Sequence, residues 1–195
     1  MEQILPQRCT WCGTDPLYVA YHDTEWGVPL WDSKKQFEFL VLETFQSGLS
    51  WITILKRRDA FRNAFAQFQA ETIAHWGPRE VEILLGNEGI IRNRRKIEAC
   101  LQNARATLAL EASGTTLNDF LWSFVDGQPV INQWSTPMHI PSKTNLSDRL
   151  AQELKQKGFT FIGSTTIYAH LQAAGLVNDH LVSCPRHAEV QLHTL

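Results

Sequence analysis

Cysteines and histidines close to the two ends of the chain have the types and spacing of metal ligands. Cys9 and Cys12 are separated by two residues, and His22 follows them. Near the other end, His180 and Cys184 are four residues apart, about one helical turn. Two thiolates and two imidazoles would form a closed, structural zinc site that joins both ends of the chain. The alternative is that these side chains have unrelated local functions, and spacing alone does not decide between Cys9 and Cys12.

A single carboxylate lies within a strongly apolar segment, which is predicted to be a helix from an N-cap at Ser33 to about Gln46. Glu43 is costly to bury in such a helix unless it is paired or protonated. Either the burial is interrupted locally and Glu43 reaches water, or its carboxylate points into a pocket. Because Trp51 follows shortly after, such a pocket would suit a flat, electron-poor or cationic ligand. The helix should cross the interior, since apolar side chains cover most of its circumference: Phe37, Phe39, Leu40, Val41, Leu42 and Phe45.

A glycine-bounded turn followed by cations forms the third candidate site. One helix is predicted to end before Gly86, and after Gly89 the next begins with Arg92, Arg94, Arg95 and Lys96. Backbone N–H groups at a helix N-terminus favour phosphate, and cations there oppose the helix dipole unless an anion is bound. The segment therefore resembles a helix-hairpin-helix that holds a DNA backbone. The alternative is an ordinary solvated helix start.

Caps and helix breakers predict the elements that must position these residues. Further helices are expected over 59–65, 78–85, 92–111, 117–125, 147–157 with Ser147 as cap, and from 164 or 165 to 175. The segment 128–145 is the longest irregular stretch, and 159–162 is the only strand-like pattern. The predicted class is all-α.

The composition limits the kinds of protein this can be. A chain of 195 residues with 44% hydrophobic and 19% charged residues can form one globular domain with its own core. The 18 basic and 20 acidic residues give a net charge of −2, so any nucleic-acid surface must be a local patch. No apolar run reaches the ~18 residues of a membrane span, and the first residues lack the apolar stretch of a signal peptide. We expect a cytoplasmic protein.

Many short motifs, in order along nearly the whole chain, resemble the 3-methyladenine DNA glycosylase I family, the zinc-containing branch of the helix-hairpin-helix DNA glycosylases. They are Cys9 with Asp15-Pro16-Leu17-Tyr18 and Tyr21-His22-Asp23, Glu25-Trp26-Gly27-Val28-Pro29, Asp32-Ser33-Lys34-Lys35, Gly48-Leu49-Ser50-Trp51-Ile52-Thr53, Gly89-Ile90-Ile91-Arg92, Trp122-Ser123-Phe124-Val125, Gly158-Phe159, Phe161-Ile162-Gly163 and Gly175-Leu176-Val177-Asn178-Asp179-His180.

The resemblance implies a single glycosylase domain over 1–195 with two helical lobes and its hairpin motif at about 78–111. It implies one structural Zn²⁺ on Cys9, His22, His180 and Cys184, with Cys12 outside the ligand set. The implied base pocket has Glu43 as catalytic residue and Tyr21, Glu43, Trp51, Trp11 and Trp26 as substrate-binding residues. The implied DNA contacts are Gly89, Ile90, Ile91, Arg92 and Asn93. The segment after Cys184 is assigned no role.

The activity implied is hydrolysis of the N-glycosidic bond of 3-methyladenine in double-stranded DNA, with free 3-methyladenine as product and an abasic site left behind. No lysine nucleophile is implied, so we expect a monofunctional enzyme that does not cleave the strand. A glycosylase of this small size is expected to be a monomer. A non-enzymatic, zinc-stabilised domain that recognises alkylated bases is the main alternative. A zinc hydrolase is disfavoured because two Cys and two His leave no open coordination position.

Overall fold

The computed structural model describes residues 7–194, and its regular structure is mostly helical, as predicted. Within that range there are eleven α-helices, which we number in chain order: α1 Pro16–Thr24, α2 Ser33–Gln46, α3 Trp51–Leu55, α4 Arg58–Ala64, α5 Ala70–Ala74, α6 Pro78–Leu85, α7 Arg94–Ala112, α8 Leu117–Trp122, α9 Asn145–Gln156, α10 Ser164–Ala173 and α11 Pro185–Glu189. Short 3₁₀ turns lie at Thr10–Cys12, Ala66–Phe68, Ser123–Val125, Pro137–His139 and Val190–Thr194.

Two predicted helix caps are wrong by a few residues. Asp32, rather than Ser33, caps α2, because its carboxylate accepts the Lys35 N–H at 2.7 Å. Thr144, rather than Ser147, caps α9. Ser147 is instead the third helical residue, and its hydroxyl accepts the Thr144 N–H at 2.9 Å. Both positions carry several residues able to cap, so sequence alone does not rank them.

Several short helices carry no periodic signal and were not predicted. These are α1, α3, α5 and α11, each of nine residues or fewer. Asp15 caps α1 just before Pro16, a recognisable start signal. Helices this short depend on tertiary packing for their stability, so their sequences need no strong helical pattern.

Within residues 7–194, the one element outside the helical class is a two-residue parallel ladder. Strand β1, Val130–Ile131, pairs with strand β2, Val177–Asn178, and brings the irregular segment after α8 against the segment that leads to His180. The strand-like pattern at 159–162 is not a strand. Its backbone is bracketed by Asn103, whose amide donates to the Thr160 carbonyl at 3.2 Å and accepts the Thr160 N–H at 2.7 Å.

Helix α2 runs through the interior, as its apolar circumference predicts. It packs against α3, α7, α8 and α10, and its residues from Gln36 to Phe45 are all buried. Its C-terminal end is held by Lys96 of α7, whose ammonium donates to the carbonyls of Phe45 at 2.8 Å and Ser47 at 2.6 Å. No helix within residues 7–194 is both long and apolar enough to cross a membrane.

Candidate active site and metal centre

A cavity of about 390 Å³ opens at the end of α2 that carries Glu43. All five residues predicted for the base pocket line it, namely Trp11, Tyr21, Trp26, Glu43 and Trp51. Its volume lies within the ~300–1,000 Å³ range of small-molecule sites. The sequence reasoning missed seven lining residues: Tyr18, Gln46, Pro137, Ile140, Pro141, Ala169 and Gln172.

Helical spacing could have found two of these missed residues. Tyr18 precedes Tyr21 by three positions on α1, and Gln46 follows Glu43 by three positions on α2, so each pair shares a helix face. No local signal marks Gln172, because it reaches the cavity only through the packing of α10 against α2.

Five aromatic side chains form one wall of the cavity: Trp11, Tyr18, Tyr21, Trp26 and Trp51. Trp11 contacts Tyr18 and Trp26, with ring centroids 5.0 Å apart in each pair. Tyr21 lies against Trp51 at 5.4 Å. Such a wall presents π-faces that attract flat and cationic ligands.

Glu43 lies in this wall as an isolated acid. Its side chain is 5% exposed, and no group within residues 7–194 hydrogen-bonds its carboxylate. Burial raises its pKa to about 8, so the carboxyl is largely protonated at neutral pH. The pocket therefore contains an acid that an incoming cation would help to ionise.

Two other polar groups of the pocket are an unpaired indole N–H and a neutral phenol. The indole N–H of Trp51 is buried and has no hydrogen-bond acceptor within the described residues. Burial raises the pKa of Tyr21 well above its usual value, so its phenol stays neutral. The Trp51 N–H is available to a ligand, because leaving a donor buried and unpaired is costly.

The four predicted metal ligands converge into one buried group that could hold a metal ion. The ligand atoms of Cys9, His22, His180 and Cys184 all lie within 4.8 Å of one another. Cys12 is not among them, since its thiol donates to the Cys9 carbonyl at 3.1 Å. The structure thus resolves the choice between the two N-terminal cysteines that spacing left open.

Hydrogen bonds from the two histidine rings orient them as metal ligands. His22 Nδ1 donates to the Asp23 carboxylate at 2.8 Å, and His180 Nε2 donates to the Trp26 carbonyl at 3.0 Å. The other ring nitrogen of each histidine faces the thiols. A second hydrogen bond of this kind sets the tautomer and orientation of a metal-bound imidazole.

The spacing of the four ligands also fits zinc. Tetrahedral zinc at ~2.3 Å from sulfur and ~2.0 Å from nitrogen separates the two atoms by about 3.5 Å. The sulfur–nitrogen distances are 3.6 Å for Cys9 to His180, 3.6 Å for Cys184 to His22 and 3.8 Å for Cys184 to His180. The interaction of the two neighbouring sulfur atoms raises the pKa of the Cys9 thiol and lowers that of the Cys184 thiol.

The metal centre and the cavity share a wall. The Trp26 ring contacts the His180 ring at 4.6 Å, and the Trp11 ring contacts the His22 ring at 5.3 Å. Both tryptophans also line the cavity. The four ligands thus hold the N-terminal turn and α1 against the C-terminal segment, at the back of the aromatic wall.

The predicted hairpin connects α6 to α7. Ile90 is buried, Asn93 caps α7 by accepting the Lys96 N–H at 3.3 Å, and Arg92 is exposed. Arg57, which lies between α3 and α4, stabilises this turn. Its guanidinium donates to the Glu88 carbonyl at 3.0 Å and to the Gly89 carbonyl at 3.3 Å.

The prediction of four anion-binding cations at the start of α7 is wrong for one of them. Lys96 is 6% exposed and its ammonium is used by the end of α2, so it is not available to a phosphate. Arg92, Arg94 and Arg95 remain exposed. Arg94 also pairs with Glu82 at 2.7 Å.

Comparisons with known proteins agree in sequence and in structure. The methyladenine glycosylase family model matches residues 11–187. DNA-3-methyladenine glycosylase 1 of Escherichia coli (strain K12) is 51% identical over 178 residues, which cover 91% of this chain and 95% of the relative. A crystal structure of a 3-methyladenine DNA glycosylase I has a TM-score of 0.90 and 54% identity, covering 92% of this chain and 98% of that one. A variant 3-methyladenine DNA glycosylase I in complex with 3-methyladenine has a TM-score of 0.88 and 37% identity, covering 91% and 95%.

Proposed function

This chain belongs to the methyladenine glycosylase family, as its ordered motifs predicted, and we propose that it hydrolyses the N-glycosidic bond of 3-methyladenine in alkylated double-stranded DNA. The products are the free base and an abasic site. The observation that carries this proposal is the isolated carboxyl of Glu43 inside an aromatic cavity of about 390 Å³.

The charge of the substrate explains why such a pocket suffices. Methylation at N3 makes adenine cationic, so the base is already a good leaving group. Binding of a cation beside Glu43 favours the carboxylate form, which then attracts the base in return. Tyr21 and Trp51 offer π-faces to the same cation. The pocket thus selects a cationic purine.

The base must leave the DNA stack before it reaches this cavity, at a cost of a few kcal/mol. Once it is bound, alignment with a water molecule and stabilisation of developing charge complete the reaction. None of the cavity-lining residues within 7–194 is a lysine, so no amine is placed to attack the sugar. This supports hydrolysis without strand cleavage.

The metal site stabilises the aromatic wall of this pocket. We assign one Zn²⁺ to Cys9, His22, His180 and Cys184, whose closed set of four ligands supplies structural stability and no open position for water. The ligands hold Trp11 and Trp26 in place through the contacts of their rings with His22 and His180.

DNA is assigned to the hairpin. The backbone N–H of Ile91 and the side chain of Arg92 would contact phosphates, while Ile90 anchors the turn in the core. The N–H groups of Gly89 and Asn93 shape the turn instead, because they donate to the Asn87 side chain at 2.8 Å and to the Ile91 carbonyl at 2.9 Å. Arg57 holds this turn against the helices next to the pocket, so phosphate binding and base capture occur on one rigid frame.

Base release from methylated duplex DNA tests the proposal directly. Wild type, Glu43→Gln and the control Glu153→Gln on α9 are incubated with the DNA, and freed bases are resolved by chromatography. We expect 3-methyladenine from wild type and control and at least a tenfold slower release from Glu43→Gln. If the wild type binds the DNA but releases no base, the protein is a non-enzymatic reader of alkylated bases and the proposal is wrong.

A further inference from the structure

A fully buried carboxylate lies between the metal centre and the base pocket. Asp179 precedes the metal ligand His180 and accepts four hydrogen bonds from neutral donors. These come from the amide of Asn132 at 2.7 Å, the indole of Trp134 at 2.6 Å, the phenol of Tyr168 at 2.6 Å and the amide of Gln172 at 2.7 Å. One of these donors, Gln172, lines the cavity and is therefore held by the same buried acceptor as the other three.

The bond to Asp179 determines which way the Gln172 amide faces. A carboxylate can only accept, so Gln172 must turn its NH₂ group towards Asp179, and turning the amide over would bring two oxygens together. Its carbonyl oxygen has no partner within residues 7–194, and the side chain lines the cavity. Gln172 therefore offers a pre-oriented hydrogen-bond acceptor to whatever occupies the pocket.

The side-chain amide of Gln46, at the end of α2, also has its carbonyl oxygen left as an acceptor. Its NH₂ group donates to the Leu49 carbonyl at 2.7 Å, which leaves its own carbonyl oxygen as an acceptor. The cavity wall thus presents two amide oxygens, those of Gln46 and Gln172, as fixed acceptors. An occupant that donates hydrogen bonds is favoured, and one that presents an oxygen there is not.

We propose that Gln172, held in place by Asp179, is a specificity-determining residue that accepts a hydrogen bond from the amino group of the flipped base and so rejects methylated guanines. This inference rests on the proposed function. Adenine has an amino donor at position 6, whereas guanine has an oxygen acceptor at the same position. An oxygen facing the fixed carbonyl of Gln172 would leave both acceptors unpaired, and such mismatches discriminate strongly in a desolvated site.

The test uses Gln172→Met, which keeps the length of the side chain and removes its acceptor, with Gln152→Met on the exposed side of α9 as the matched control. Release of 3-methyladenine, 3-methylguanine and 7-methylguanine is measured from one methylated duplex. Binding of the three free bases is measured separately by quenching of tryptophan fluorescence. We expect Gln172→Met to bind and release 3-methyladenine about tenfold less well than wild type. Its preference for 3-methyladenine over 3-methylguanine and 7-methylguanine should therefore be smaller. The control should behave as wild type.

A second variant separates positioning from simple loss of contact. In Asp179→Asn, the new amide can donate to the Gln172 carbonyl and turn the side chain over, so its NH₂ group faces the cavity. We expect the preference for adenine to fall further than in Gln172→Met, a change in ratio that general destabilisation does not produce. If Asp179→Asn does not fold, Gln172→Met alone decides.

These experiments distinguish failure of the Gln172 inference from failure of the proposed glycosylase activity. Unchanged preference in Gln172→Met overturns the inference, whatever the rates. Wild type that binds 3-methyladenine with a preference dependent on Gln172 but releases none would support the inference and overturn the enzymatic proposal. Wild type that neither binds nor releases the base overturns both.

Discussion

Replacing Glu43 with glutamine should make the free protein more stable, with a gain that grows with pH. Burial raises the pKa of Glu43 from its usual 4.5 to about 8. The folded state therefore keeps a proton that the unfolded state releases between these two values. Glutamine has nearly the same shape and does not titrate, so the substitution removes this proton linkage while preserving the packing of α2.

The sign and size follow from linkage. Where the folded state binds more protons than the unfolded state, stability falls as pH rises, by ~1.4 kcal/mol per pH unit. The contribution of Glu43 is fully favourable below pH 4.5 and is lost progressively up to about pH 8. Relative to pH 4, the free energy of unfolding of the wild type should drop by about 3 kcal/mol at pH 7 and about 5 kcal/mol above pH 8. The Gln variant should lack this component.

Urea unfolding at several pH values from 4 to 8.5 measures the effect, with Glu153→Gln as the control for general charge removal. The difference in unfolding free energy between Glu43→Gln and wild type should widen with pH, while the control runs parallel to wild type. The same Gln variant should excise 3-methyladenine at least tenfold more slowly. A stability difference that stays constant from pH 5 to 8 would refute the assignment of Glu43 as a buried, unpaired acid.

Three further perturbations test separate parts of the molecule. Cys184→Ser should lower the bound zinc below half an equivalent by metal analysis and reduce the melting temperature; a full equivalent would contradict the four-ligand site. Arg92→Ala should weaken DNA binding and reduce its salt dependence by about one phosphate contact, with unchanged affinity for free 3-methyladenine; equal loss of both would argue against a backbone role. Lys96→Met should cost about 3 kcal/mol in urea unfolding, because the carbonyls of Phe45 and Ser47 lose a charged donor; a loss below 0.5 kcal/mol would contradict this.

Helices with strong local signals were predictable, and those that depend on packing were not. Helix α6 has the predicted bounds because Gly77-Pro78 marks its start and Gly86 its end. Asp32 was missed as a cap because Ser33 beside it can serve equally well in sequence terms. Helix α3 has only five residues, too few to show an apolar period, and it forms because Trp51 and its neighbours pack against α2.

Residue types and their order determined the family, the Cys and His ligand chemistry and the anomaly of Glu43, because donor chemistry and apolar spacing are properties of the chain itself. Only the tertiary structure decided that Lys96 is buried and that Asp179 orients Gln172. Each of these depends on burial and on partners from distant segments. Lys96, for example, meets a carbonyl 51 residues away. A cation is an exposed phosphate ligand or an internal anchor according to what packs around it, and that is set by the fold as a whole.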